Sequence, residues 1–418
     1  MKLRRITAEA LAAEWVSTEW TAPGLLERAT RVLDAIPAWL PLVAADLIAA
    51  WPRAAPHEGV IRRAVLAHAR AALDVPRVIR PTSMTTAAPI PTVGDLARVL
   101  GLDVHQLDAF TMRRHRESNV RFYHYDYAWQ PKRSGGHRLL EAPRPRLKEI
   151  QRRALARVLH ALRVQDAAHG FVPGRSIVTF AAPHVGRAVV VRVDLADFFG
   201  SIGEPAVIRL LLGAGYPDRV ARALARLTTS RPPDAVLRTA PRGTRVNHLR
   251  MPHLPQGAPT SPLLSNAIAA RLDARVEGLA EAFGARYTRY ADDLAFSGDA
   301  RFEGGLGAFF TALEHVIRDE GFRVRTDKTR VLRAHARQAL AGVVVNERVG
   351  LARRDLERLE AILFNATKTG LDAQNRERDP RFLERLRGRV AHAAFVDPEK
   401  AKRVLALWAA VEREPRPA

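Results

Sequence analysis

Apolar residues recur at helical spacing through residues 1–73, with Trp15, Trp20, Trp39 and Trp51 among them. The indoles fall within otherwise apolar faces, which predicts packing anchors in preference to platforms for stacked bases. The periodicity stops over residues 75–92, where Pro76, Pro81, Pro89 and Pro91 are interspersed with Ser and Thr, so a linker or extended arm is expected. Thr92–Leu107 then reads as helix, Gly-containing turn, helix. A helical hairpin opening the next domain is preferred to a groove-reading helix-turn-helix. From Phe122 to Leu140 the pattern turns strand-like about Ser134-Gly135-Gly136, and residues 144–163 predict a basic amphipathic helix. Strands and helices alternate to about residue 330, and 351–414 returns to helical spacing.

Two of the strand patterns end in acid. Ala188–Asp194 is a largely apolar run that closes on a carboxylate. Arg286–Tyr290 and Leu294–Ser297 bracket Tyr290-Ala-Asp-Asp293, so the predicted hairpin carries two adjacent carboxylates at its tip. Like charges there repel unless a cation lies between them. Strand ends that bring acid to one point suit divalent magnesium, which takes a few carboxylates together with substrate phosphates. That donor set fits two-metal phosphoryl or nucleotidyl transfer. Asp194 is the natural first ligand, the Leu195 carbonyl can add an oxygen, and Asp292 and Asp293 supply the other acids. Asp197 is expected to cap the following helix instead. Phe199 is either an ordinary core aromatic or a ring beneath an incoming sugar, where it would clash with a ribose 2′-hydroxyl and favour deoxynucleotides.

Composition adds a partner. The 418-residue chain is 47% apolar, enough for two or three domains. Its net charge of +22 and isoelectric point near 11.2 point to a polyanion, most readily nucleic acid, bound in a salt-sensitive way. Cysteine is absent, which excludes disulfides, zinc fingers and thiol nucleophiles. Glu9 and Glu14 interrupt the basic start, so no signal peptide is expected. Ala38–Trp51, the longest apolar stretch, contains Asp46 and is too short to span a bilayer. A cytoplasmic protein without membrane contact is expected.

Three further segments carry candidate chemistry. Leu254-Pro-Gln-Gly-Ala-Pro-Thr-Ser-Pro-Leu-Leu-Ser-Asn266 joins a Gly/Pro loop to a helix, with Ser261 as the expected cap and Pro262 as its first residue. Gln256 and the loop amides could contact a nucleotide. Lys132 and Arg138 flank a Gly-Gly turn, where they either clamp a triphosphate or form a solvated basic loop. Lys328, in Thr326–Arg330, is a candidate for phosphate contact or proton donation to pyrophosphate.

In this order, the Lys132/Arg138 hairpin, Val193-Asp-Leu-Ala-Asp-Phe-Phe199, the Gln256 loop, Tyr290–Asp293 and the Lys328 segment resemble the motifs of reverse transcriptases over roughly residues 120–350. The resemblance implies an α+β right-hand polymerase. Residues 1–91 would be an N-terminal helical extension and Pro-rich linker, 92–335 fingers and palm, and 336–418 the primer-grip region and helical thumb. It implies Asp194 and Asp292 as principal ligands of two Mg2+ ions, with Asp293 supporting. Phe199 takes the place of the sugar-selecting aromatic and Gln256 that of a nucleotide contact, while a primer hydroxyl attacks the α-phosphate of a dNTP.

More narrowly, the Gln256–Asn266 segment, Tyr290–Gly298 and Gly170-Phe-Val-Pro-Gly-Arg-Ser176 are similar to retron reverse transcriptases. That likeness implies a structured non-coding RNA as template and primer, and a 2′-hydroxyl that starts the DNA chain. It further implies an RNA-linked single-stranded DNA, an RNA/DNA hybrid, and a part in phage defence with an effector protein. Two elements depart from the retron pattern. Asn-Ala-x-x-His reads Phe180-Ala-Ala-Pro-His184, and Val-Thr-Gly reads Leu340-Ala-Gly342. His184 is either an RNA contact or a structural histidine. Arg353, Arg354, Arg358, Arg385, Arg387 and Arg389 form a basic thumb face on duplex or a solvated helical face. Residues 1–90 are expected to bind the RNA or an effector. The rivals are a group II intron-like or other defence-associated reverse transcriptase, and a non-catalytic RNA-binding scaffold, which would not need three mutually repelling acids.

Overall fold

Helix Arg5–Val16 begins a set of four with Ala22–Ala29, Leu40–Ala50 and Glu58–Ala72, all within a compact unit, Met1–Arg80. The computed structural model describes residues 5–30, 40–72, 90–112, 124–132 and 135–413. The readings of Trp39, of Pro76, Pro81 and Pro89, and of Phe122 and Ser134 fall outside those residues. Leu11, Trp15, Leu25, Leu40, Val43, Leu47, Ile61 and Val65 form this unit's core. Trp15 is fully buried and Trp20 packs against the cluster, as anchors should. Trp51 is not an anchor: its ring is exposed, and its carbonyl accepts from Trp20 Nε1 at 2.8 Å.

The second unit, Pro81–Ala418, opens with the helical hairpin Val93–Leu100 and Val104–Thr111. Thr92 caps the first helix, Gly101 ends it at φ 69°, and Asp103 with Gln106 forms a capping box on the second. Arg153 and Arg157, on helix Pro145–Arg157, donate to the Leu100 and Val99 carbonyls at 3.1 and 2.9 Å. These cations satisfy carbonyls left open at a helix C-terminus. The hairpin is thus packed against its own domain.

Strands β1 (Tyr125–Pro131) and β2 (His137–Pro143) form an antiparallel ribbon. The central sheet is built from β3 (Val189–Asp194), β4 (Arg286–Tyr290), β5 (Asp293–Gly298) and β6 (Arg330–Arg333), ordered β4-β5-β3-β6 and antiparallel throughout. Side-chain alternation divides β3 between two cores. Val189, Val191 and Val193 join Leu294 and Phe296, whereas Val190 joins Ala295, Phe180, Leu340 and Val343. Both faces are covered, which explains why β3 reads as a nearly unbroken apolar run. A short ribbon, β7 (Ala339–Leu340) and β8 (Val343–Val344), follows.

Helices Arg353–Thr369, Phe382–Val396 and Lys402–Arg413 share a separate cluster including Leu356, Leu363, Leu386, Val390 and Trp408. Arg353, Arg354, Arg358, Arg385, Arg387 and Arg389 all lie on their exposed faces. Among the described residues, no helix is long and apolar enough to cross a membrane.

Candidate active site

The sheet register delivers the acids to one place. Asp194, the last residue of β3, pairs with Asp293, the first of β5, and Asp293 also pairs with Tyr290 of β4. Ala291 and Asp292 form the tip of that hairpin, with Ala291 at φ 55°. The Leu195 amide donates to the Asp292 carbonyl at 2.9 Å, which ties the tip to the end of β3.

Each acid is held differently. Asp194 is only 3% exposed; its Oδ2 accepts from Lys328 Nζ at 3.1 Å, and its Oδ1 is buried without a hydrogen-bond partner. Arg192 grips Asp293, with Nη2 at 2.7 and 3.0 Å from the two carboxylate oxygens. Arg192 stands two residues before Asp194, so strand alternation puts both on one face. Burial, then Asp293, then Asp194 push the Asp292 carboxyl up to about 6. Burial also raises Asp293, against the pull of Arg192.

A buried Asp194 Oδ1 that accepts no hydrogen bond, with the Asp292 and Asp293 carboxylates beside it, is a donor set that fits a divalent metal. Among the described residues, no three of His, Cys, Asp and Glu are grouped as a ready cage. Arg192 occupies Asp293 and Lys328 occupies half of Asp194.

Asp292 alone of the three acids borders a cavity of about 920 Å3, lined also by Lys132, Arg138, Leu195, Phe199, Gln256 and Lys328. Asp194, Asp293 and His184 are not on its wall. Arg245, His248, Arg323 and Arg325 add basic groups that were not singled out in the sequence. Burial lowers the Lys132 ammonium, and Arg325, Lys328 and Arg138 add to this against the attraction of Asp197. Such crowding of cations is relieved by a polyanion. Gly135 and Gly136 sit at φ 85° and 72°, completing the turn that brings Lys132 and Arg138 to the same wall. The Gln256 loop is pressed onto β2: its carbonyl accepts from the Glu141 amide at 2.9 Å, and a Cβ on Gly257 would lie 2.9 Å from the Glu141 oxygen.

Several local roles differ from those expected. Asp197 stands at the N-cap position but makes no capping bond, because its backbone is left-handed at φ 50°. Its carboxylate instead lies 3.9 Å from both Lys132 Nζ and His248 Nδ1. Ser261 is the first helical residue rather than the cap, and its Oγ donates to the Pro255 carbonyl at 2.8 Å. His184 is fully buried, with its ring nitrogens 2.7 and 2.8 Å from the Ser297 and Thr288 hydroxyls. Burial depresses it to about 3, so it is a neutral strut with no edge left for RNA.

Phe199 packs against the core and also lines the cavity. Its ring centroid lies 6.1 Å from that of Phe171, which is 49% exposed, sits at φ 62°, and reaches Tyr290 at 6.3 Å. Phe171, Arg192 and Arg289 were not picked out as site residues; for the two arginines, the available signal was a charge interrupting a buried strand.

Residues 130–359 match the family described as "Reverse transcriptase (RNA-dependent DNA polymerase)". The chain is 43% identical over 338 residues to the Retron Mx65 reverse transcriptase of Myxococcus xanthus, covering 78% of this chain and 72% of that protein. It is 37% identical over 349 residues to the Retron Mx162 reverse transcriptase of the same organism, covering 80% and 70%. The chain therefore belongs to the reverse transcriptases, RNA-directed DNA polymerases, and within them to the bacterial retron type. A solved telomerase from Candida tropicalis, in complex with a fragment of telomeric RNA, is a distant likeness at 12% identity and TM-score 0.36, covering 69% of this chain and 60% of that one.

Proposed function

We propose that this enzyme copies a structured non-coding RNA into single-stranded DNA that stays linked to that RNA, at the site formed by Asp194, Asp292 and Asp293. Asp194 Oδ1, which accepts no hydrogen bond and has Arg325 Nε at 4.0 Å, together with Asp292 on the wall of a basic cavity, carries the reading. Asp194 and Asp292 would hold two Mg2+ ions, with the Leu195 carbonyl and Asp293 supporting. When bound, the metal activates a primer hydroxyl and neutralises charge on the leaving pyrophosphate.

The chain's own residues do the rest. Lys132 and Arg138 bind the dNTP phosphates, and Lys328, on the cavity wall and paired with Asp194, is the candidate for a further phosphate contact or for proton donation to pyrophosphate. Phe199 excludes the ribose 2′-hydroxyl, and Gln256 contacts the nucleotide. The exposed Arg353, Arg354 and Arg385 would meet the backbone of the RNA/DNA hybrid.

Priming from a 2′-hydroxyl within the RNA and a part in antiphage defence alongside an effector protein belong to the same proposal, as the retron resemblance implies. The helical unit before residue 81 is the proposed contact for that effector or for the RNA. Sequencing the nucleic acid that co-purifies with the protein tests the product. One structured RNA joined to DNA is expected; a heterogeneous pool without RNA–DNA junctions contradicts it.

A further inference from the structure

Beneath the Tyr290–Asp293 turn lies a charged cluster sealed from solvent. The side chains of Arg289 and Asp273 are both 0% exposed. Arg289 Nε donates to Asp273 Oδ1 at 2.7 Å and Nη2 to Oδ2 at 2.6 Å. The Tyr287 hydroxyl adds a 2.8 Å bond to Asp273 Oδ1. Burial and the adjacent carboxylate hold that phenol well above its ordinary ionisation, so it remains a donor. Asp273 is thereby fixed on both oxygens.

The remaining arm of Arg289 reaches the catalytic turn. Nη1 donates to Asn266 Oδ1 at 2.9 Å and to the Ala291 carbonyl at 3.1 Å. Asn266 Nδ2 passes the link on to the Gly170 carbonyl at 2.7 Å. Gly170 lies so close behind the turn that a Cβ there would be 2.7 Å from the Ala291 nitrogen. Ala291 itself is left-handed at φ 55°, a strain that persists only where surroundings over-determine it. That strained residue directly precedes Asp292.

Stability alone does not call for this arrangement, since apolar residues of similar volume often replace a buried ion pair without loss. We propose that Arg289 is a positioning residue for nucleotidyl transfer: fixed by Asp273, it holds the Ala291 carbonyl and so aims the Asp292 carboxylate. Arg289 acts through Ala291 and touches neither nucleotide nor metal. The inference rests on the reading of Asp292 as a metal ligand.

The test is the double variant Arg289→Met/Asp273→Asn. It removes both charges together and leaves an amide oxygen to accept from Tyr287. The folded variant is expected to unfold as cooperatively as the wild type yet lose about 100-fold in kcat for dNTP incorporation on an RNA template, the scale of a small misplacement at a reacting centre. The dNTP KM is expected to move by less than about threefold, and the Mg2+ concentration for half-maximal rate to rise. Arg289→Lys keeps a charge opposite Asp273 but lacks the fork that reaches three acceptors, and should show the same pattern.

A folded variant of either kind with kcat within about threefold of wild type overturns the proposal. So does failure of both to fold, since the cluster would then be a support for the domain and not for the turn. Asp292→Asn, run alongside, separates the two levels. If Asp292→Asn is inactive while the Arg289 variants are active, only the positioning role fails; if Asp292→Asn is active, the metal reading fails.

Discussion

Two acid clusters share one hairpin and differ in how far they are satisfied. Asp273, behind the hairpin, has both oxygens bonded to Arg289 and one also to Tyr287. Asp194, Asp292 and Asp293, at its tip, include an oxygen that accepts no hydrogen bond and a carboxyl pushed up to about 6. Asp194 and Asp273 are both buried, so burial does not distinguish those two. Satisfaction does. A buried polar group with every hydrogen bond made fixes its surroundings, here the catalytic turn, whereas one left open can take a ligand.

The largest effect is expected at the open cluster. Asp194→Asn should lower the rate of dNTP incorporation by at least about 10^3-fold, the several kcal/mol that a catalytic metal contributes, while thermal unfolding stays near that of the wild type. If Asp194→Asn instead collapsed the fold, the two clusters would be alike in kind. At the closed cluster the order reverses. Asp273→Ala leaves the Arg289 charge buried and unpaired, and should cost about 3–5 kcal/mol in urea unfolding.

A third buried polar site sharpens the contrast through pH. His184 is held neutral between two hydroxyls, with its ionisation depressed from 6.5 to about 3. Between those values the unfolded chain takes up the proton and the folded chain does not, so its contribution is complete above pH 6.5 and erodes as pH falls toward 3. Replacing His184 with Gln should flatten that part of the stability–pH curve. An unchanged slope would remove His184 from the account.

Smaller effects belong to the periphery. Phe199→Ala should raise ribonucleotide use relative to dNTPs by about tenfold or more in competition assays, with overall folding unchanged. The triple change Arg353→Ala, Arg354→Ala and Arg385→Ala should weaken hybrid binding and flatten its salt dependence by about 2–3 in log–log slope if each side chain meets a phosphate.

Much of the tip was legible because it depends on short-range pattern. The apolar run ending at Asp194 and the two strands about Ala291 locate the acids from periodicity alone. The basic groups on the cavity wall were partly legible as cations beside a Gly-Gly turn. What eluded the sequence depends on partners far along the chain or on the sign of one dihedral. Arg289 meets Asp273 and Asn266 across 16 and 23 positions, and no local pattern reports that meeting. Asp197 has the right residue type for a cap but the wrong backbone, at φ 50°. Trp51 and His184 show the same limit in opposite directions, an aromatic left exposed and a polar ring sealed in the core.

The central claim is that the unsatisfied acids hold the metal for RNA-directed DNA synthesis. Mg2+-dependent dNTP incorporation on an RNA template, compared between the wild type and a folded Asp292→Asn variant, tests it most directly. Incorporation that needs Mg2+ in the wild type and vanishes in the variant is the predicted result. Equal incorporation by the two proteins would contradict it.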